Sequence, residues 1–155
     1  MIKTAKDSCH FDQIRTILVL YHAMPEEEFK SLKNLLKKLF ARKQLDHIYY
    51  NPAKKYPEDF NYSVQAIYLS KGDFSFFGKL KNNTANLMLQ KKHDLFLYID
   101  FVNDRHIQKL IQLDQSKIKA GASSDELPNF DLSFQMEINS KEALIHQLVK
   151  YLKTI

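Results

Sequence analysis

His93-Asp94-Leu95-Phe96-Leu97-Tyr98-Ile99-Asp100-Phe101 is the stretch on which the fold turns. An almost unbroken apolar run of strand length, with charged residues at both ends, suits a strand buried on both faces. Val102-Asn103-Asp104 follows directly and reads as a helix start. Asn103 can cap, Asp104 suits the positive end, and Val102 can staple onto Ile107. Strand, tight loop and helix make half of a crossover unit.

The segments on either side repeat that grammar. Thr16 to Tyr21 is a buried strand rich in β-formers. Pro25 suits the first position of a helix, and Glu26, Glu27 and Glu28 favour its positive end. Phe29, Leu32, Leu35, Leu36, Leu39 and Phe40 form one apolar stripe, with Lys30, Lys33 and Lys37 on the other side. Leu45 to Tyr50 and Ser63 to Leu69 read as two further strands, separated by a loop marked by Pro52 and Pro57. Asn82 to Thr84 can cap a short helix through Leu87, Met88 and Lys91, with a strand as the alternative there.

Beyond the central strand, Ile107, Leu110 and Ile111 give the next helix its buried face. Lys117 to Gly121 is a short strand. Phe130 to Met136 alternates apolar and polar, as an outer strand with one wet face should. Asn139 and Glu142 suggest a capping box for a last helix, lined by Leu144, Ile145, Leu148, Val149, Leu152 and Ile155.

Strands alternating with helices imply a three-layer α/β fold with a mostly parallel, Rossmann-like sheet and helices on both faces. The last strand is expected to be free to run antiparallel, because Gly121 to Asn129 is short for a helical crossover. Residues 1–15 read as a lead-in and 16–155 as a single α/β domain. The chain has 155 residues, enough for a real core. Eleven Phe and eight Tyr without Trp point to an aromatic-rich core.

Three blocks resemble a known family. Asp73-Phe74-Ser75-Phe76-Phe77-Gly78-Lys79 is similar to a motif of the uncharacterised bacterial domain-of-unknown-function family sixty-nine-thirteen. That family shows an aspartate, an aromatic pair, a glycine and a lysine or proline here. Asp94 to Ile99 resembles its aspartate-then-strand segment. Lys119-Ala120-Gly121 and Phe130-Asp131-Leu132 resemble two further segments. The likeness covers Thr16 to Ile155. Asp100 departs from it, standing where the family has an uncharged polar residue. The resemblance implies a bacterial cytoplasmic α/β protein and carries over no catalytic residue.

Composition narrows function mainly by exclusion. No apolar run has membrane-spanning length, and the polar start lacks the apolar centre of a signal peptide. The single cysteine, Cys9, excludes an internal disulfide framework and a cysteine zinc cage. These features favour the cytoplasm. Gly72 to Lys79 misses the phosphate-binding P-loop, with five residues between its glycines and Leu80 in place of Ser or Thr. Its phenylalanines are expected to anchor a loop to the core, with Gly78 permitting a positive backbone angle. The six histidines show no metal-helix spacing, and no serine-nucleophile motif is present. No catalytic residue, metal or cofactor is therefore expected.

What remains is a rim. In open α/β sheets, ligands bind beyond the carboxyl ends of the strands, where strand order reverses. His22, Asn51, Lys71, Asp100, Asn103 and Ser123 belong to that rim, and Gly78 and Lys79 join them as ligand-binding candidates. Asp100 is the carboxylate of most interest; the plainer reading is that it caps a turn or pairs with Arg105. The first functional expectation is a non-enzymatic binding or protein-interaction module. The second is a small enzyme centred on Asp100 and Lys71. A net charge of +5 also permits an RNA- or ribosome-associated protein, with nucleic acid contacted through Lys30, Lys33, Lys37, Lys38, Lys54 and Lys55.

Overall fold

The structure is a computed structural model that describes residues 10–53 and 65–154. In chain order the elements are β1 (Thr16–His22), α1 (Glu26–Leu39), β2 (Gln44–Asn51), β3 (Ala66–Ser70), α2 (Asn83–Gln90) and β4 (Leu95–Ile99). They continue with α3 (Arg105–Leu113), β5 (Ile118–Ala122), β6 (Leu132–Phe134) and α4 (Lys141–Thr154).

The strands form one six-stranded sheet in the order β3-β2-β1-β4-β5-β6, every pair parallel. This is the doubly wound order, with its reversal between β1 and β4. The apolar run of Leu95 to Ile99 is wholly buried, as is Ile17 to Tyr21 beside it. Asp94 aligns the two strands. Its carboxylate accepts from the backbone N–H of Arg15 and of Thr16, at 2.8 and 3.2 Å, and its own N–H donates to Thr16 Oγ1.

Alternation along the strands divides the core in two. Ile17, Val19 and Tyr21 face α1 and α4, meeting Phe29, Leu32, Leu36, Leu148 and Leu152. Leu18, Leu20, Phe96 and Tyr98 face α2 and α3, meeting Ala85, Met88, Leu89, Ile107 and Leu110. The result is three layers. Each fully buried Leu, Ile or Phe contributes about 1.5–3 kcal/mol by leaving water. Tyr21, Tyr50, Tyr68, Tyr98, Phe40 and Phe96 are among the largest fully buried side chains.

Several local expectations shift. β6 runs parallel to β5, not antiparallel. The connection from Ser123 to Asp131 is short, but Leu127 and Phe130 sink from it into the α2–α3 core and do the covering that a crossover helix would do. Phe130 lies directly on Gly121, where only a glycine leaves room for the ring. The cap of α3 is Asp104, accepting from the His106 N–H at 2.7 Å, rather than Asn103. Val102 is 41% exposed, so it forms no staple. Pro25 stands one residue before α1. Ser140, not Asn139, receives the first-turn N–H of α4, from Ala143 at 3.2 Å. Ser63, Val64 and the loop at Pro57 lie outside the described residues.

Candidate functional site

Beyond β3 the chain makes a 3-10 turn, Lys71–Asp73, and then a tight hairpin. Asp73 ties down the turn by accepting from the Ser70 N–H at 2.8 Å and from the Asn82 amide at 3.4 Å. Phe74 and Leu80 face each other as an antiparallel bridge, and both are buried in the α2–α3 core. Above them the Ser75 N–H donates to Lys79 O at 2.8 Å, and the Gly78 N–H to Ser75 O at 2.9 Å. Ser75 Oγ accepts a further bond from the Lys79 N–H at 3.0 Å. Gly78 has φ +86°, the left-handed conformation expected of it.

The centre of that turn is Phe76 and Phe77. Contrary to expectation, neither is buried: they are 84% and 94% exposed. Their rings stand 5.4 Å apart, tilted by 59°. Only Phe74 anchors the loop. Residue type alone assigns all three phenylalanines to a core. The corrective signal lay in the spacing, since Ser75-Phe76-Phe77-Gly78 is a four-residue turn with serine first and glycine last, which places the two rings at the outward bend.

The rim candidates fall into separate groups. His22 closes β1, half-buried, with its ring edge-on to Tyr50 at 5.8 Å. Asn51 closes β2, and its Oδ1 accepts from the Ala53 N–H at 3.0 Å. Asp100 follows β4 and is nearly buried. Its Oδ1 accepts from the Phe101 N–H at 2.7 Å, and its ion pair is with Lys141 at 3.7 Å, not with Arg105. Lys141 also holds Glu28 at 3.1 Å, which joins the starts of α1 and α4 to the end of β4. A cleft of about 390 Å³ lies beside Glu28, Ser140 and Lys141.

Asn103 is exposed and accepts from the Gln108 amide of α3. Lys71 is exposed beyond β3, three strands from β4 in the sheet. Among the described residues no hydrogen bond or ion pair joins Asp100, Lys71 and Asn103 to one another. Ser123 is exposed after β5 and its N–H donates to Phe134 O at 2.8 Å. Gly78 and Lys79 belong to the hairpin.

The hairpin base is fixed to the rim by aromatic contacts. Phe74 stacks on the His106 ring with centroids 4.0 Å apart and planes within 4°. His106 Nδ1 shares a 2.6 Å hydrogen bond with Tyr50 Oη, while its Nε2 is buried without a partner among the described residues. Burial lowers the His106 pKa, and burial pushes Tyr50 up to about 12. The stack and the hydrogen bond brace the hairpin base against β2 and α3.

Of the predicted basic surface, Lys30 pairs with Glu26 at 3.2 Å and Lys38 is exposed. Lys33 and Lys37 line a cleft together with Arg42 and Lys43. Lys54 and Lys55 lie outside the described residues. Among the described residues no group of three His, Cys, Asp or Glu is arranged to hold a metal ion, and no helix is long and apolar enough to cross a membrane.

A family model described as a family of unknown function (DUF6913) matches residues 2–155. The chain belongs to that family. No curated protein and no solved structure matches it.

Proposed function

We propose that this member of the family is a non-enzymatic interaction module that docks a partner protein through Phe76 and Phe77. The observation that carries the reading is their near-complete exposure at the tip of a hydrogen-bonded hairpin. Seating both rings in an apolar pocket would gain about 2–3 kcal/mol each from the hydrophobic effect. Because the turn is already ordered by the Ser75, Gly78 and Lys79 bonds, little backbone entropy is lost on docking. Buried aromatic anchors with charged neighbours at the edge, here Lys79 and Lys81, are the usual anatomy of an interface centre and its rim.

A 59° tilt between the rings gives no flat platform for successive bases, which favours a protein pocket over single-stranded nucleic acid. The test is affinity capture from native lysate with the wild type and with Phe76→Ser/Phe77→Ser. The wild type should retain a discrete protein at least about tenfold better than the variant. The two should unfold at the same midpoint, because the lost rings touch little of the core. Equal retention, or retention abolished by ribonuclease, would overturn the reading.

A further inference from the structure

A second surface, remote from the hairpin in sequence, carries an independent inference. The carboxyl end of α1 and the amino ends of β2 and β3 enclose a cleft of about 750 Å³, a size usual for small-molecule sites. Among the described residues its lining includes four cations, Lys33, Lys37, Arg42 and Lys43, and no carboxylate. We infer that this cleft binds a small phosphate-bearing ligand of nucleotide size.

The placement of the cations follows from the local chain. Lys33 and Lys37 are one helical turn apart on α1, an arrangement of like charges that disfavours the helix unless something offsets it. Lys33 is half-buried with its ammonium 5.2 Å from the centre of the Phe29 ring. The chain leaves α1 through Arg42, whose φ of 69° turns it back and brings Arg42 and Lys43 beside the helix end. Lys43 Nζ already donates to Phe11 O and Ile14 O, at 2.7 and 2.6 Å, so it supplies field more than grip. Lys33, Lys37 and Arg42 have no carboxylate partner among the described residues. The helix dipole places roughly half a negative charge at this end of α1, which leaves a large positive excess.

The wall of the cleft adds polar groups suited to the same ligand. Gln44 and Gln65 also line it, and the Gln44 amide donates to Asp46 Oδ1 at 3.5 Å. His47, nearly buried, is held through Nδ1 by Tyr21 Oη at 2.8 Å. Asp46, its neighbour on β2, points to the opposite face of the sheet, where His93 binds it. A guanidinium and two ammonium groups around a recess match the several oxygens of a phosphate chain. A polymer would need an open basic stripe, whereas here Lys33 is half-buried and His47 lies within.

Titration calorimetry of the whole chain with pyrophosphate, adenosine triphosphate and a single-stranded RNA oligonucleotide tests this. Saturable binding of pyrophosphate or the triphosphate, weakened by salt, is the expected result. Lys37→Gln/Arg42→Gln should weaken it by at least about tenfold. Should that pair fail to fold, Lys37→Gln alone removes an exposed side chain and should still lower affinity. Phe76→Ser/Phe77→Ser should bind the phosphates as the wild type does, which keeps this proposal separable from the hairpin reading. No saturable binding of either phosphate, unchanged affinity in the lysine and arginine variants, or binding of RNA only would overturn it.

Discussion

Acid should destabilise this fold through His47 as the pH falls from about 6.5 to about 4. The ring is nearly buried, and its pKa is lowered from 6.5 to about 4. Burial is the main cause. Lys33 adds to it, Asp46 opposes it, and Lys37 adds a little more. An unfolded chain takes up this proton near pH 6.5, while the native state refuses it until about pH 4. Between those values the unfolded state binds more protons, so stability falls as pH falls. The contribution is complete above the unfolded pKa and gone below the folded one. Over the interval of about 2.5 units it amounts to on the order of 3 kcal/mol, a sizeable share of the 5–15 kcal/mol typical of a domain. Urea unfolding from pH 7 to pH 4, of the wild type and of His47→Gln, isolates it. Glutamine can still bond Tyr21 Oη and has no proton to gain. The wild type should lose on the order of 3 kcal/mol more than the variant across this window. Parallel stability curves, or an imidazole titration near 6.5 by NMR, would refute the reasoning.

Two further predictions concern the core. Gly121→Ala would place a Cβ 2.4 Å from the Phe130 ring and should cost about 1–3 kcal/mol. Adding Phe130→Leu should return part of that loss in a double-mutant cycle read by urea unfolding. His93→Ala would strip the fully buried Asp46 of its 2.7 Å partner and should cost about 3–5 kcal/mol, whereas replacing both residues by Val and Leu should recover most of it.

The layers were legible because burial on both faces leaves a plain mark. Leu95 to Ile99 and Ile17 to Tyr21 can be nothing but inner strands, and the α1 stripe is periodic. The direction of β6 was not legible, because it depends on Leu127 and Phe130 covering a sheet face from within a loop. The Asp100–Lys141–Glu28 bridge joins residues far apart in the chain, and local spacing cannot announce it. The basic cleft was half visible. Lys33 and Lys37 could be placed on one helix, but only the left-handed Arg42 brings the other two cations alongside. Phe76 and Phe77 were misjudged by type, since a turn's centre faces outward whatever occupies it.

The most direct test is a photo-crosslinking residue at position 77, activated in native lysate, with the same residue at the exposed Lys150 of α4 as control. A single discrete protein adduct from position 77, absent from position 150, is the expected result. No adduct from position 77, or the same adducts from both, would contradict a docking role for the hairpin tip.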